Sequence, residues 1–165
     1  MSQPTRKERM AMDRTAMPER PGRERAESFD EVNLGYTAQL AMLEASRCLR
    51  CPHPKCVEGC PVGVRIDEFI TAVAEGDFVK AAEVVITDNS LPAVCGRVCP
   101  QEAQCEGACV LARQEKPIAI GHLERFVADV ARLDWLTGPL EPVEPSGKSV
   151  GVVGSGPAGL ACAFD

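Results

Sequence analysis

The stretch CLRCPHPKCVEGCP, residues 48–61, contains four cysteines and three prolines within fourteen positions. A second cysteine-rich stretch, CGRVCPQEAQCEGAC, occupies residues 95–109. The chain has nine cysteines in all, and an odd number argues against a closed disulfide framework. In a compartment that keeps thiols reduced, cysteines grouped in this way indicate metal ligands.

The composition allows one ordinary domain plus tails in 165 residues, with a core built mainly from Val, Ile, Leu and Ala because aromatic residues are scarce. The formal net charge of −6 argues against nucleic acid or an anionic membrane as a partner. No apolar run is long enough to cross a bilayer. The charged N-terminus lacks the apolar segment of a secretory signal, which predicts a cytoplasmic protein.

The spacing of apolar residues predicts helices and loops only, and therefore an all-α domain over residues 29–136. Thr37 is expected to cap a helix that presents Leu40, Leu43 and Arg47 on one face. A second helix is predicted to end at Gly76 and to turn inward Ile66, Phe69, Ile70 and Val73. A third helix, capped by Asp77, repeats Val79, Ala82 and Ile86, and a short fourth helix is capped by Ser90 with Pro92 in its first turn.

A last helix is predicted over residues 118–136. Its apolar face consists of Ile120, Leu123, Val127, Val130 and Ala131.

Three further segments flank this domain. Residues 1–28 are rich in Arg and Glu and are predicted to form a mobile charged arm or a weak helix. Residues 137–149 hold three prolines and two glycines without periodicity, which is typical of a linker. Residues 150–165 begin with a strand-like run, VGVV, and continue into a glycine-rich turn.

The cysteine spacing favours iron–sulfur clusters. The first stretch reads C-x2-C-x4-C-x3-C-P, which is the bacterial ferredoxin run C-x2-C-x2-C-x3-C-P with two extra residues. The second reads C-x3-C-P-x4-C-x3-C. Spacing alone assigns these eight cysteines to two 4Fe-4S clusters and leaves Cys162 over. Structural zinc is the rival, but it usually takes paired C-x2-C knuckles, and only Cys48 and Cys51 form one.

The C-terminal run KSVGVVGSGPAGLA places Gly154, Gly156 and Gly159 directly after the strand-like segment. This is the context that a dinucleotide-binding turn requires, because glycines let the backbone approach a pyrophosphate at a helix N-terminus. The acidic residue expected about twenty positions later lies beyond residue 165. We therefore expect only the truncated start of a Rossmann-like FAD domain, with flavin binding in a longer parent protein.

The chain from about residue 29 to residue 135 resembles the N-terminal iron–sulfur domain of the small (beta) subunit of NADPH-dependent glutamate synthase. The resemblance rests on FDEVNLGYT, EASRCLRC, CVEGCPVG, AVCGRVCPQE followed by CEGAC, IAIGHLERF and GVVGSGPAGLA. Dihydropyrimidine dehydrogenase and the large subunit of NADH-dependent ferredoxin:NADP oxidoreductase share the domain. The resemblance implies an α-helical ferredoxin-type fold with two 4Fe-4S clusters.

The resemblance also implies which residues are ligands. One cluster takes the first three cysteines of the first stretch and the last of the second, here Cys48, Cys51, Cys56 and Cys109. The other takes three cysteines and an oxygen ligand from the last helix, here Cys60, Cys99, Cys105 and Glu124. That oxygen ligand is Gln in dihydropyrimidine dehydrogenase and Glu in close relatives of this chain. Cys95 is then not a ligand, in contrast to the assignment by spacing.

The function implied by the resemblance is electron transfer within a longer oxidoreductase, with no catalytic residue in this chain. NADPH would reduce FAD, and electrons would cross the two clusters to the large (alpha) subunit of glutamate synthase or another flavoprotein acceptor. Two other interpretations stay open. One is the same domain in another oxidoreductase, such as NADH-dependent ferredoxin:NADP oxidoreductase or a pyrimidine reductase. The other is a zinc-held interaction module.

Five cations lie beside the candidate ligands and allow two interpretations. They either offset the charge of a cluster or dock an acidic partner, or they are ordinary surface cations. The five are Arg47, Arg50, Lys55, Arg65 and Arg97.

Overall fold

The computed structural model describes residues 4–131 and 144–164, and within these ranges every regular element is a helix. The prediction of an all-α fold is confirmed for this part of the chain. The helices are α1 (Arg6–Ala11), α2 (Gly22–Ala26), α3 (Ala38–Ser46), α4 (Lys55–Glu58), α5 (Ile66–Glu75), α6 (Phe78–Asp88), α7 (Pro92–Val98), α8 (Ile120–Ala131) and α9 (Pro157–Phe164), with short 3₁₀ helices at Gln101–Ala103 and Val110–Gln114.

Helix α5 supplies the centre of the core. Its four apolar positions predicted to face inward are all buried, and it packs against both α3 and α6. The helix ends at Gly76, whose φ of +79° is the left-handed conformation that glycine adopts without strain. Asp77 follows at once and accepts a hydrogen bond from the Lys80 N–H, which caps α6 as predicted. The two signals together produce a tight helical hairpin.

Helix α8, the last helix of the core in the described part of the chain, covers the side of the core formed by α6 and α7. It packs against α7 and α6, and the rings of Phe78 and Phe126 meet edge to face with centroids 5.1 Å apart. Helix α3 begins at the predicted cap, since the Thr37 side chain accepts a hydrogen bond from the Leu40 N–H. The last predicted helix continues to residue 136, but residues 132–136 lie outside the described ranges.

Several predicted core positions are wrong. Leu43, Val79 and Val130 are exposed by 49%, 56% and 41%, although each falls at a helical interval with buried neighbours. Small residues are buried on the faces that do pack, because alanine lets two helix backbones approach closely. These buried residues are Ala41 and Ala45 in α3 and Ala81 and Ala82 in α6.

The predicted cap of α7 is also wrong. Leu91, not Ser90, is the N-cap residue, and it has no side-chain capping bond. Instead, the side-chain Oδ1 of Asn89 accepts a hydrogen bond from the Leu91 N–H at 3.0 Å. Pro92 occupies the first turn, as predicted.

The N-terminal segment, predicted as a mobile charged arm over residues 1–28, contacts the helical domain. Arg9 donates a hydrogen bond to the backbone carbonyl of Cys48 at 2.7 Å, and Arg14 forms an ion pair with buried Glu106 at 2.7 Å. These contacts define where the segment lies; its mobility stays a prediction.

The C-terminal segment contains the glycine-rich turn followed by α9. Residues 150–153, the strand-like run of the sequence, are exposed and have no strand partner within the described residues. A strand without neighbours leaves its backbone groups to water, so the run stays irregular. Among the described helices, none has both the length and the apolar character needed to cross a membrane.

Candidate metal centres

The first cavity is lined by four thiols from separate parts of the chain. Cys48 follows α3, and Cys51 lies in the next loop. Cys56 lies in α4, and Cys109 precedes the second 3₁₀ helix. Most other lining residues are apolar: Leu49, Pro54, Ile70, Val110, Leu111, Ile118 and Ile120. The space between atoms is about 440 Å³, counting the part open to solvent.

The second cavity is lined by three thiols and a carboxyl, from Cys60, Cys99, Cys105 and Glu124. Its volume is again about 440 Å³, counted in the same way. Cys95 also lines this cavity, together with the polar side chains of Asn89, Gln101 and Gln104. The structure therefore brings together both sets of predicted ligands and places Cys95 beside the second set. That these residues bind iron stays a prediction.

The two cysteine stretches are interleaved, since each contributes to both cavities. Cys56 lines the first cavity and Cys60 the second, while Cys105 lines the second and Cys109 the first. Between them, Gly59 lies so close to the other stretch that a Cβ there would be 2.9 Å from the Gln104 carbonyl oxygen. Glycine at this position allows the two stretches to meet between the cavities.

The donor sets fit 4Fe-4S clusters. All nine cysteines lie in the described residues, and all are free. Within residues 4–131 and 144–164, no three His, Cys, Asp or Glu side chains are arranged to hold a single metal ion. A 4Fe-4S cluster takes one protein ligand per iron, so its donors are spread around a compact body. At least four donors line each cavity, which meets that requirement.

Burial raises the pKa of two thiols in each cavity. It raises the pKa of Cys48, and it raises the pKa of Cys56 to about 12, with smaller contributions from neighbouring thiols. In the second cavity, burial raises the pKa of Cys99 to about 11 and that of Cys105 to about 12. Metal ligands are thiolates, so iron that binds here must displace protons.

Glu124 lies in the second cavity, where Asn89 donates a hydrogen bond to its carboxyl. Glu124 is 9% exposed, and burial raises the pKa of its carboxyl to about 7, an effect that the hydrogen bond from Asn89 opposes. Asn89 Nδ2 donates to Glu124 Oε1 at 2.7 Å. Asn89 Oδ1 accepts from the Cys95 thiol at 3.7 Å. One amide thus contacts both residues that compete for the eighth ligand position.

Arg47 is not a surface cation. Its side chain is 1% exposed and forms an ion pair with Glu44, which is 0% exposed, at 2.5 Å. Glu44 also accepts from the backbone N–H of Thr15 at 2.7 Å and of Ala119 at 2.9 Å. This buried pair therefore ties the N-terminal segment and the residue before α8 to α3, immediately before Cys48.

The other four cations near the ligands lie at the surface in ion pairs. Carboxylates neutralise them locally, which weakens the interpretation that they serve to offset a cluster's charge. The pairs are Arg50–Glu75, Lys55–Glu58, Arg65–Asp88 and Arg97–Asp129.

Sequence reasoning missed Asn89 and Glu44. An Asn after a helix is usually a turn residue, and a Glu on a helix is usually solvated, so neither carries a functional signal of its own. The position of Glu44 three residues before Arg47 is the one available hint, since this spacing suits an ion pair on a helix.

Comparison with known proteins places the chain in a family. Residues 25–134 match the family model described as dihydropyrimidine dehydrogenase domain II, 4Fe-4S cluster. The glutamate synthase [NADPH] small chain of Halomonas elongata is 41% identical over 144 residues, which are 87% of this chain and 30% of that protein. The Escherichia coli small chain is 39% identical over 153 residues, 92% of this chain and 32% of that protein.

A relative with another name is equally similar. The NAD-dependent dihydropyrimidine dehydrogenase subunit PreT of Escherichia coli is 41% identical over 135 residues, 80% of this chain and 32% of that protein. The chain spans about a third or less of the length of the curated relatives it matches. These matches confirm the resemblance drawn from the motifs. Because the family match covers more than half of its residues, the chain belongs to the 4Fe-4S-cluster family of dihydropyrimidine dehydrogenase domain II.

Proposed function

We propose that this chain carries two 4Fe-4S clusters and is the electron-transfer part of a larger NADPH-dependent oxidoreductase of the glutamate synthase type. The observation that carries the proposal is the pair of cavities, each lined by one complete set of four predicted ligands. When bound, the clusters supply one-electron transfer. The chain contributes the ligands and an environment that limits contact with water, and it has no catalytic residue of its own.

The proposed ligands of the first cluster are Cys48, Cys51, Cys56 and Cys109, and those of the second are Cys60, Cys99, Cys105 and Glu124. The interleaved course of the two cysteine stretches supports this division. A chain that shares its cysteines between two centres holds them close to each other, which suits electron transfer from one to the next. Glu124 is preferred to Cys95 because its carboxyl is buried in the cavity with Asn89 as its hydrogen-bond donor.

The glycine-rich turn is proposed as the start of an FAD-binding domain of the parent protein, through Gly154, Gly156 and Gly159. The turn has the required tightness: Gly154 has a φ of +106°, and a Cβ at Gly159 would overlap the Gly154 carbonyl oxygen. Helix α9 follows, and its N-terminal N–H groups suit a pyrophosphate.

The proposed electron path runs from NADPH through FAD and the two clusters to a glutamate synthase large subunit or another flavoprotein acceptor. Two relatives are named as small chains of NADPH-dependent glutamate synthase, and these names support a parent protein of that kind. A cytoplasmic setting, where thiols stay reduced, suits the nine free cysteines. The match to the PreT subunit favours a second candidate, the same domain in a pyrimidine-reducing enzyme.

Reductive titration followed by electron paramagnetic resonance tests the proposal. The anaerobically reconstituted chain should show two reducible centres, each giving about one unpaired electron per chain. One centre should disappear in Cys56→Ser and the other in Cys105→Ser. A colourless, zinc-loaded chain without any paramagnetic signal would support the zinc-held interaction module instead. Comparing the parent protein's activity with NADPH and 2-oxoglutarate or with pyrimidines distinguishes the two oxidoreductases.

A further inference from the structure

Asn89 lies at the junction of α6, α7 and the second cavity. It is 8% exposed, and as the C-cap residue of α6 its backbone N–H donates to the Val85 carbonyl. Its side-chain amide has hydrogen bonds to Leu91, Glu124 and Cys95. A buried amide with this many partners has a fixed position, and the proposed function gives it no role.

The orientation of the Asn89 amide follows from its partners. The backbone N–H of Leu91 can only donate, so the atom that faces it at 3.0 Å must be the carbonyl oxygen, Oδ1. With Oδ1 facing Leu91, the atom of the amide that faces Glu124 Oε1 at 2.7 Å is the nitrogen, Nδ2, which donates. Asn89 therefore presents an N–H to Glu124.

The two sides of the amide act differently on the two candidate ligands. The bond to Oε1 fixes the carboxylate and leaves the lone pairs of its second oxygen for a metal. On the other side, Oδ1 accepts the hydrogen of the Cys95 thiol at 3.7 Å, which gives that thiol a partner other than a metal. Both residues line the cavity and both bond to Asn89, Glu124 as the acceptor and the Cys95 thiol as the donor.

We propose that Asn89 is a positioning residue that selects Glu124, rather than Cys95, as the fourth ligand of the second cluster. This inference rests on the proposed function, because it presupposes a cluster in the second cavity. Asn89 acts through Glu124 and does not itself contact iron.

A swap of the hydrogen-bonding groups tests the inference. Asn89→Asp keeps the size of the side chain and the acceptor for Leu91 but replaces the N–H donor by an oxygen, so that two carboxyls face each other. In Glu124→Gln alone, the single carbonyl oxygen must both accept the hydrogen bond from Asn89 and bind the metal. In the double variant, the N–H of Gln at position 124 can donate to Asp at position 89, which leaves the carbonyl oxygen of that Gln for the metal.

The experiment measures second-site iron during competition with a chelator, together with the paramagnetic signal of that site. Each single variant should lose second-site iron about 10- to 100-fold more readily than wild type, the usual effect of removing a partner of a metal ligand. The double variant should regain retention and signal. The signal of the first site serves as an internal control for folding in every variant.

Two results would overturn the inference. One is an Asn89→Asp chain that keeps second-site iron and its signal like wild type. The other is a double variant that retains no more second-site iron than the single variants, which would indicate that Asn89 only fills space. If Asn89→Asp loses both clusters, the double variant still tests the inference, because it should regain second-site iron if Asn89 positions residue 124. A wild-type chain that binds no iron–sulfur cluster in either cavity would contradict the proposed function itself.

Discussion

Gly96 of α7 lies directly against the backbone of Arg125 in α8. A Cβ built at position 96 would be 2.6 Å from the Arg125 amide nitrogen and 2.8 Å from its Cα. Real side chains do not tolerate such distances, so the missing Cβ sets how closely the two helices pack. Cys95 and Glu124 are the neighbours of these two residues, so this contact also positions one wall of the second cavity.

Gly96→Ala should therefore push α7 away from α8. Overpacking of this kind costs about 1–3 kcal/mol, and we expect a loss of that size in the free energy of unfolding measured with urea. Second-site iron should fall as well, while first-site iron stays. Gly22→Ala is the matched control, because nothing lies within 4 Å of a Cβ there. Equal stability of the two variants would show that the helix contact is looser than described.

Arg47→Met should destabilise the chain strongly. It leaves the buried carboxylate of Glu44 without its cation, and breaking a buried ion pair in this way costs about 3–5 kcal/mol. The measurement is the urea unfolding curve of the reconstituted chain. Arg25→Met, which breaks an exposed pair with Glu19, is the control and should cost less than about 1 kcal/mol. A small effect of Arg47→Met would mean that water reaches the Glu44 carboxylate.

Cysteine variants should remove one cluster at a time. We expect Cys56→Ser to lose about four of about eight irons from the first site, and Cys105→Ser to lose about four from the second. Iron content and the two paramagnetic signals measure this. Cys162→Ser, at an exposed position in α9, should keep all of the iron. Loss of all iron in both ligand variants would show that the two sites cannot form independently.

The eighth ligand is tested by removing each candidate. Glu124→Ala should lose the second cluster, because it deletes the proposed oxygen ligand, whereas Cys95→Ala should retain about eight irons per chain. Iron and acid-labile sulfide are measured after anaerobic reconstitution. The opposite pattern would support the assignment by cysteine spacing alone.

The sequence predicted those features of the fold that depend on local chemistry. Thr37, Gly76 and Asp77 mark helix ends because a side-chain acceptor or a left-handed backbone is needed there, and all three do so in the structure. Periodicity found the buried face of α5. It failed at Leu43 and Val79, because spacing shows which residues share a face but not which face another helix covers.

The candidate site was predictable only in part. The cysteine motifs and the resemblance indicated eight candidate ligands, and the structure brings these into two groups. Asn89 is outside the motifs, and its contacts with Glu124 and Cys95 join residues 35 and 6 positions apart in the chain. The burial of Arg47 likewise depends on Met12 and Lys116, whose carbonyls accept its hydrogen bonds from distant segments. The contacts of Asn89 with Glu124 and of Arg47 with Met12 and Lys116 join distant parts of the chain and have no local signature.

The most direct test of the central claim is the amount of iron and acid-labile sulfide per chain, measured after anaerobic reconstitution with iron, sulfide and zinc all present. Two 4Fe-4S clusters predict about eight irons and about eight sulfides per chain, with no stoichiometric zinc. Zinc without sulfide, or about four irons in a chain whose two cavities are both intact, would contradict the account.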